Sequence, residues 1–354
     1  WERGEEKPPL GMLRTLAEKY RRPLAVLLLP TPPRDFQALR DFRRVDPAEG
    51  EMPPRVAYEI RRAHERRRLM HEMRREIGED VEHFTLKVEA TESVEAAADR
   101  IRAYFRVSFA QQCTWARREK TFEGWRQAVE ARDVLVFVMG GSGGPKVRQV
   151  RGFAITADEL PVVAVNGRDK TNGRVFTLLH ECVHLALGQA VVENDMTTYR
   201  LLPAADRAVE RFCNAVAAAV LMPKAEMATI GASLAKNGAS YWTDAEINDA
   251  AQKVGASREA FVIRAVTLGL ASRRFYALKR RVFEREYEKF DEAGGEPVPV
   301  PPYKQMLGRY GRPFARAVLN SYKERRITMN DAAAFLEVPA KRLEYIAEHA
   351  VRGQ

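Results

Sequence analysis

Two histidines one helical turn apart, set in a run of apolar residues, restrict this chain more than any other feature. The segment Arg174-Val-Phe-Thr-Leu-Leu-His-Glu-Cys-Val-His184 continues through Leu185, Ala186 and Leu187 with no breaker before Gly188. On an α-helix, positions i and i+4 sit about 40° apart around the axis and one turn along, so His180 and His184 share a face. The run is too apolar to leave that face in water, and buried imidazoles need partners. A second element must therefore bring polar groups to the pair. Imidazoles at this spacing suit two ligands of one Zn2+ ion, with Glu181 close enough to reach a water at that ion.

A centre of this kind takes three protein ligands and leaves a fourth position to water. Downstream, Arg207-Ala-Val-Glu-Arg-Phe-Cys-Asn-Ala-Val-Ala-Ala-Ala-Val-Leu-Met-Pro223 spells a helix stopped by proline. Glu210 is the acid on its apolar side, among Val209, Phe212, Cys213, Val216, Ala217 and Val220. A carboxylate there requires a cation or hydrogen bonds, which makes Glu210 the expected third ligand. Asn214, one turn later, is spaced to hydrogen-bond a ligating side chain. Tyr199 and Arg207 lie between the ligands in sequence and are the candidate oxyanion donors. Cys182 and Cys213 read as small buried side chains. Imidazole and carboxylate also accept Mn2+ or Fe2+.

The 354 residues exceed one ordinary domain. Three cysteines are too few and too odd for a disulfide framework, which suggests a reducing, cytoplasmic setting. No membrane segment is expected, since no apolar run reaches the roughly 18 residues of a span. The net charge of +10 permits an acidic partner such as DNA. Acids and bases alternate along 59–79, however, as on a solvated helix. The chain opens on Trp1 rather than Met, which reads as a piece of a longer product.

Apolar spacing predicts a helix from about 56 to 78, with Ile60, Ala63, Leu69, Met73 and Ile77 as its stripe, and further helices at 92–105 and 122–131. Three β-branched runs, 134–139, 150–155 and 161–165, predict a small antiparallel sheet; 161–165 is the candidate edge for an extended peptide. Beyond 174 the pattern is helical. The loop 140–146 lacks a phosphate cradle, because Pro145 and Val147 flank Lys146. Spacings at 246–268 and 328–346 resemble helix-turn-helix pairs and read as packing units. Pro- and Gly-rich breaks divide the chain into 1–54, 55–225, 226–293 and 303–354.

These motifs resemble the ImmA/IrrE metallopeptidases. Arg174 to His184 is similar to that family's arginine-phenylalanine-threonine lead into a zinc helix. Glu210 to Asn214, with Leu221-Met-Pro223, is similar to its glutamate-bearing helix, and the strands at 150–155 and 161–166 to the two before it. The resemblance covers roughly residues 55–270. It implies an α+β, mainly helical fold around a zincin-like core, with His180, His184 and Glu210 as ligands and Glu181 as general base. It further implies a protease of narrow range that cleaves a helix-turn-helix repressor during stress, DNA damage or mobile-element induction. Residues 1–33 resemble the closing helices of a Cro/repressor-type domain, through which a longer product would contact DNA. The competing expectation is a regulator or antitoxin-like binding module that uses the peptidase fold as scaffold.

Overall fold

Among the described residues, four short strands organise the computed structural model: β1 (Leu135–Met139), β2 (Gly152–Ile155), β3 (Val162–Asn166) and β4 (Val191–Glu193). The structure describes residues 52–117, 119–140, 144–188, 191–193, 204–235, 242–293 and 300–352, with 8–9, 11–13 and 15–16. The repressor-like opening segment falls largely outside the described residues, as do the linker before 52 and Tyr199.

The strand order is β1-β3-β2-β4, with β1 parallel to β3 and the other pairs antiparallel. The sheet is therefore mixed, not antiparallel throughout, and it gains a fourth strand that the sequence reading missed. The reason lies in β3, whose five residues are all buried. A strand apolar on both faces is best placed between two neighbours, where its backbone groups are paired on both edges. β3 thus presents no free edge; among the described strands, the edges belong to β1 and β4.

Side chains alternate across the sheet. Val136, Ala154, Val163 and Val165 point into one core. Leu135, Phe137, Met139, Phe153, Ile155, Val162 and Ala164 point into another. Both faces are dry, so the strands show continuous apolar runs instead of a polar alternation.

The first core is built by α2 (Val94–Phe105), α3 (Phe109–Arg117), α4 (Thr121–Glu130), α5 (Thr171–Ala186), α6 (Ala204–Leu221), α7 (Lys224–Ala235), α8 (Asp244–Val254), α9 (Arg258–Thr267) and α10 (Arg273–Ala293). Local chemistry sets their ends. Ser93 and Ser257 accept from the backbone N–H three residues on, Thr243 and Glu246 form a reciprocal capping box, and Gly255 closes α8 at φ +72°. Phe261, Val262 and Ala265 bury α9 in this core.

The opposite face is covered by α1 (Pro54–Glu76), α11 (Pro302–Tyr310), α12 (Arg312–Lys323), α13 (Met329–Phe335) and α14 (Leu343–Arg352). Val56, Ile60, Ala63, Met70 and Met73 form the buried stripe of α1, whereas Ile77 is 48% exposed. Arg66 also lies on that stripe. Its guanidinium stacks over Phe137 and Tyr310 and bonds Glu337 at 2.7 Å. Arg62 and Arg309 reach the same carboxylate at 2.7 and 2.9 Å. No single helix is long and apolar enough to cross a membrane among the described residues.

Burial acts to raise the Glu337 carboxyl, but Arg66, Arg309 and Arg62 outweigh it and bring the pKa from 4.5 to about 2. A depressed folded-state pKa contributes stability that is present above about 4.5 and lost as pH falls toward 2. Glu337→Gln should cost about 2–3 kcal/mol at neutral pH, because it strips the ion pairs from a buried arginine. Thermal melts between pH 7 and pH 2 test this: the variant should show a shallower acid limb, and parallel limbs would remove the assignment.

Candidate metal centre

The site forms where α5 crosses α6. Helix α5 is buried continuously from Thr177 to Ala186. Its apolar residues Val175, Leu178, Leu179, Cys182 and Val183 enter the first core. Helix α6 brings Phe212, Cys213, Val216, Ala217 and Val220 into that core and presents Glu210 to α5.

The end of α6 is anchored with care. Pro223 stops the helix and leaves carbonyls that need donors. Arg102 Nη1 donates to the Val220 carbonyl at 2.6 Å, Gln112 Nε2 to that of Leu221 at 2.8 Å, and Arg264 Nε to that of Met222 at 3.0 Å. Arg264 is itself held by both oxygens of Glu95. Two cations at a helix C-terminus also complement its dipole. Burial lowers the Arg102 pKa only to about 10, so the guanidinium stays charged.

The geometry at the crossing is tight. Nε2 atoms of His180 and His184 lie 3.0 Å apart; His180 Nε2 is 3.3 Å from Glu210 Oε2 and His184 Nε2 is 3.2 Å from Oε1. Both histidines are fully buried and Glu210 is 7% exposed. Ligands about 2.0–2.1 Å from a tetrahedral Zn2+ stand about 3.3–3.4 Å apart, so these contacts are of the size such a centre needs; Glu210 meets the two rings through different oxygens, and one ligand atom from each residue lies within 4.8 Å of the others. Among the described residues this is the one group of three His, Cys, Asp or Glu side chains that can hold a metal ion together.

The electrostatics agree. Burial pushes the His184 imidazole below the ordinary histidine range, against the pull of Glu210, and a metal ligand must be neutral at that nitrogen. For Glu210, burial acts to raise the carboxyl, yet hydrogen bonds and charge from the two histidines hold it well below the usual carboxylate range. Ligating through unprotonated nitrogens, two imidazoles and one carboxylate would form a donor set of charge −1, which a buried divalent cation complements.

Glu181, next to His180 on α5, is fully buried, and its carboxylate lies against β2. An ideal Cβ on Gly152 would stand 3.0 Å from Glu181 Oε1, 2.9 Å from the Ala164 carbonyl oxygen and 2.5 Å from Thr177 Cγ2. The missing side chain makes the space that this carboxylate occupies. Sequence reasoning passed over Gly152, which reads as an ordinary strand glycine until α5 is laid over it.

The other expected residues are placed as follows. Asn214 is half-buried on α6, one turn beyond Glu210, and Arg207 is half-buried one turn before it. Tyr199 lies outside the described residues. Cys182 and Cys213 are both fully buried. Burial pushes the Cys182 thiol far up, so it stays protonated. The atom next to His184 Nδ1 is Cys213 Sγ, at 3.7 Å.

Comparison with known families matches residues 133–266 to the IrrE N-terminal-like domain, a peptidase family. The matched segment holds all four strands and both helices of the centre. It supports the ImmA/IrrE kinship and a metallopeptidase-like fold. No curated protein matches the chain.

Gly152→Ala should displace the Glu181 carboxylate or push β2 off α5, at about 1–3 kcal/mol. Melting of the metal-free variant, read beside its metal affinity, tests the packing. An unchanged melt with unchanged activity would show that the gap at Gly152 is not needed.

Proposed function

We propose that this chain is a zinc-dependent endopeptidase of narrow specificity. The observation that carries the reading is the buried cluster of His180, His184 and Glu210, whose ligand atoms lie within 4.8 Å of one another, with the buried Glu181 next to His180 on the same helix. A purely structural pair of histidines needs no such convergence with a buried carboxylate.

His180, His184 and Glu210 would hold the ion, which when bound supplies the Lewis acidity that lowers the pKa of a water and polarises a peptide carbonyl. Glu181 takes the proton of the attacking water and passes it to the departing amine. The absence of a side chain at Gly152 leaves that carboxylate its space against β2. Paired on both sides, β3 leaves β4 as the described sheet edge nearest the Glu181 side, and an extended peptide laid along β4 would pair through its main chain.

The substrate we propose is a helix-turn-helix repressor, a choice that rests on the ImmA/IrrE resemblance. Zn2+ is the first choice of ion; Mn2+ and Fe2+ suit the same donors.

Incubation of the purified chain with a candidate helix-turn-helix repressor tests both parts. Cleavage should stop with a chelator and return with Zn2+. Glu181→Gln should bind metal as the wild type does but cleave about 10²–10⁴-fold more slowly. His184→Ala should lose metal outright. Intact repressor in every tube rejects the substrate, while a wild-type chain that retains no metal rejects the hydrolase.

A further inference from the structure

Cys213 occupies a position that packing alone does not explain. His184 has no exposed surface, so its second ring nitrogen cannot turn to bulk water. That nitrogen, Nδ1, faces Cys213 Sγ at 3.7 Å, across the α5–α6 crossing. Nε2 of the same ring points the other way, toward His180 and Glu210. The two nitrogens lie on opposite edges of the imidazole, so Sγ sits behind the ring and not among the ligand atoms.

This arrangement has a chemical consequence. When Nε2 offers its lone pair to a cation, the proton of the neutral imidazole must reside on Nδ1, which then needs an acceptor. A ligating histidine usually finds a carboxylate or a backbone carbonyl there. In this chain the atom in place is a thiol sulfur, a weak acceptor in a dry pocket. Cys182 makes a contrast: it is two residues from His184 and so on another side of α5, where it packs in the core.

We infer that Cys213 is the positioning residue for His184: its Sγ accepts the Nδ1–H hydrogen bond, fixing the tautomer and the tilt of the ring that present Nε2 to a divalent cation. The inference rests on the metal-site reading above. It assigns Cys213 neither to the ligands nor to the proton transfer. It also accounts for a pairing across two helices that were each folded around the same centre: Glu210 approaches Nε2 from α6 while Cys213, three residues on, approaches Nδ1 from the same helix. One helix thus grips the imidazole from both edges.

Competition between the metal-free chain and a chromophoric chelator for Zn2+ reads the effect directly, without any substrate. Cys213→Ala removes the acceptor and leaves a small gap, Cys213→Val removes the acceptor and adds volume, and Cys213→Ser keeps an acceptor, so that a loss shared by Ala and Val but not Ser tracks the hydrogen bond rather than the packing. Val and Ala should weaken Zn2+ binding about 10–100-fold, the usual effect of losing a partner behind a ligand, and Ser should recover most of the loss. Melting of each metal-free variant separates folding from binding, and Val should melt within a few degrees of wild type. A Cys213→Val chain that binds Zn2+ as tightly as wild type overturns the inference, as does a Ser variant no better than Val. So does a thiolate-to-metal charge-transfer band in the wild type with Co2+ that Cys213→Val abolishes, since that would make Cys213 a ligand. A wild-type chain with no Zn2+ affinity would instead remove the metal reading itself, and this inference with it.

Discussion

A triangle of two imidazoles and one carboxylate, its nearest contacts 3.0–3.3 Å long, sits in a dry core and sets the terms for everything around it. Such a triangle is unfavourable in isolation: it desolvates a carboxylate and two imidazoles and crowds their lone pairs. No single helix can make it, because one turn spacing supplies two ligands and the third must come from elsewhere. The pair α5 and α6 must therefore cross at a fixed depth and angle, with little tolerance along either axis. Much of the first core acts to hold that crossing. The anchors at Val220, Leu221 and Met222 keep α6 from sliding, and the apolar residues of α5 keep its histidine face turned inward.

How much of this was readable from residues alone depended on whether the signal was local. The helix carrying His180 and His184, the helix carrying Glu210 and three of the strands all show in short-range periodicity, and the structure places the three ligand candidates together. Pairing order did not show, because an apolar run such as Val162–Asn166 looks the same at the centre of a sheet as at its edge. Val191–Glu193 is too short to carry a pattern of its own. Gly152 and Cys213 matter through what lies opposite them, and nothing in their own neighbourhoods marks them. Their meaning appears only once α5 is set against β2 on one side and α6 on the other.

The buried arginines failed to show for a related reason. Arg66, Arg102, Arg126 and Arg264 are all buried, and Arg66 sits in the segment whose alternating charges read as a solvated helix. Each reaches an acceptor far away in sequence: Arg66 to Glu337, Arg102 to Val220, Arg126 to Gly308, Arg264 to Glu95. A guanidinium offers five donors in a rigid fork, so one residue can close several backbone and carboxylate demands at once. The long aliphatic stem packs as an apolar side chain would. Periodicity methods count only the charge, and so assign these positions to the wrong face.

Because the sheet is covered on both faces, the centre is braced from a side it never touches. Val136, Ala154, Val163 and Val165 meet the core that holds α5, while the alternate residues of the same strands meet α1 and α11–α14. Arg126 on α4 ties the two halves, donating to the carbonyls of Gly308 on α11 and Val136 on β1 while paired with Glu130. Helix α4 in turn packs its Phe122 under Arg174 at the start of α5. A rearrangement of the far-face helices therefore has to break buried, charge-assisted hydrogen bonds before α5 can shift. Removing those helices would expose Phe137, Phe153 and Val162 on one side and loosen α4 on the other. The position of Glu181 over Gly152 depends on β2 staying flat against α5, so the C-terminal helices belong to the machinery that holds the carboxylate in place, although none of their side chains lies in the ligand triangle.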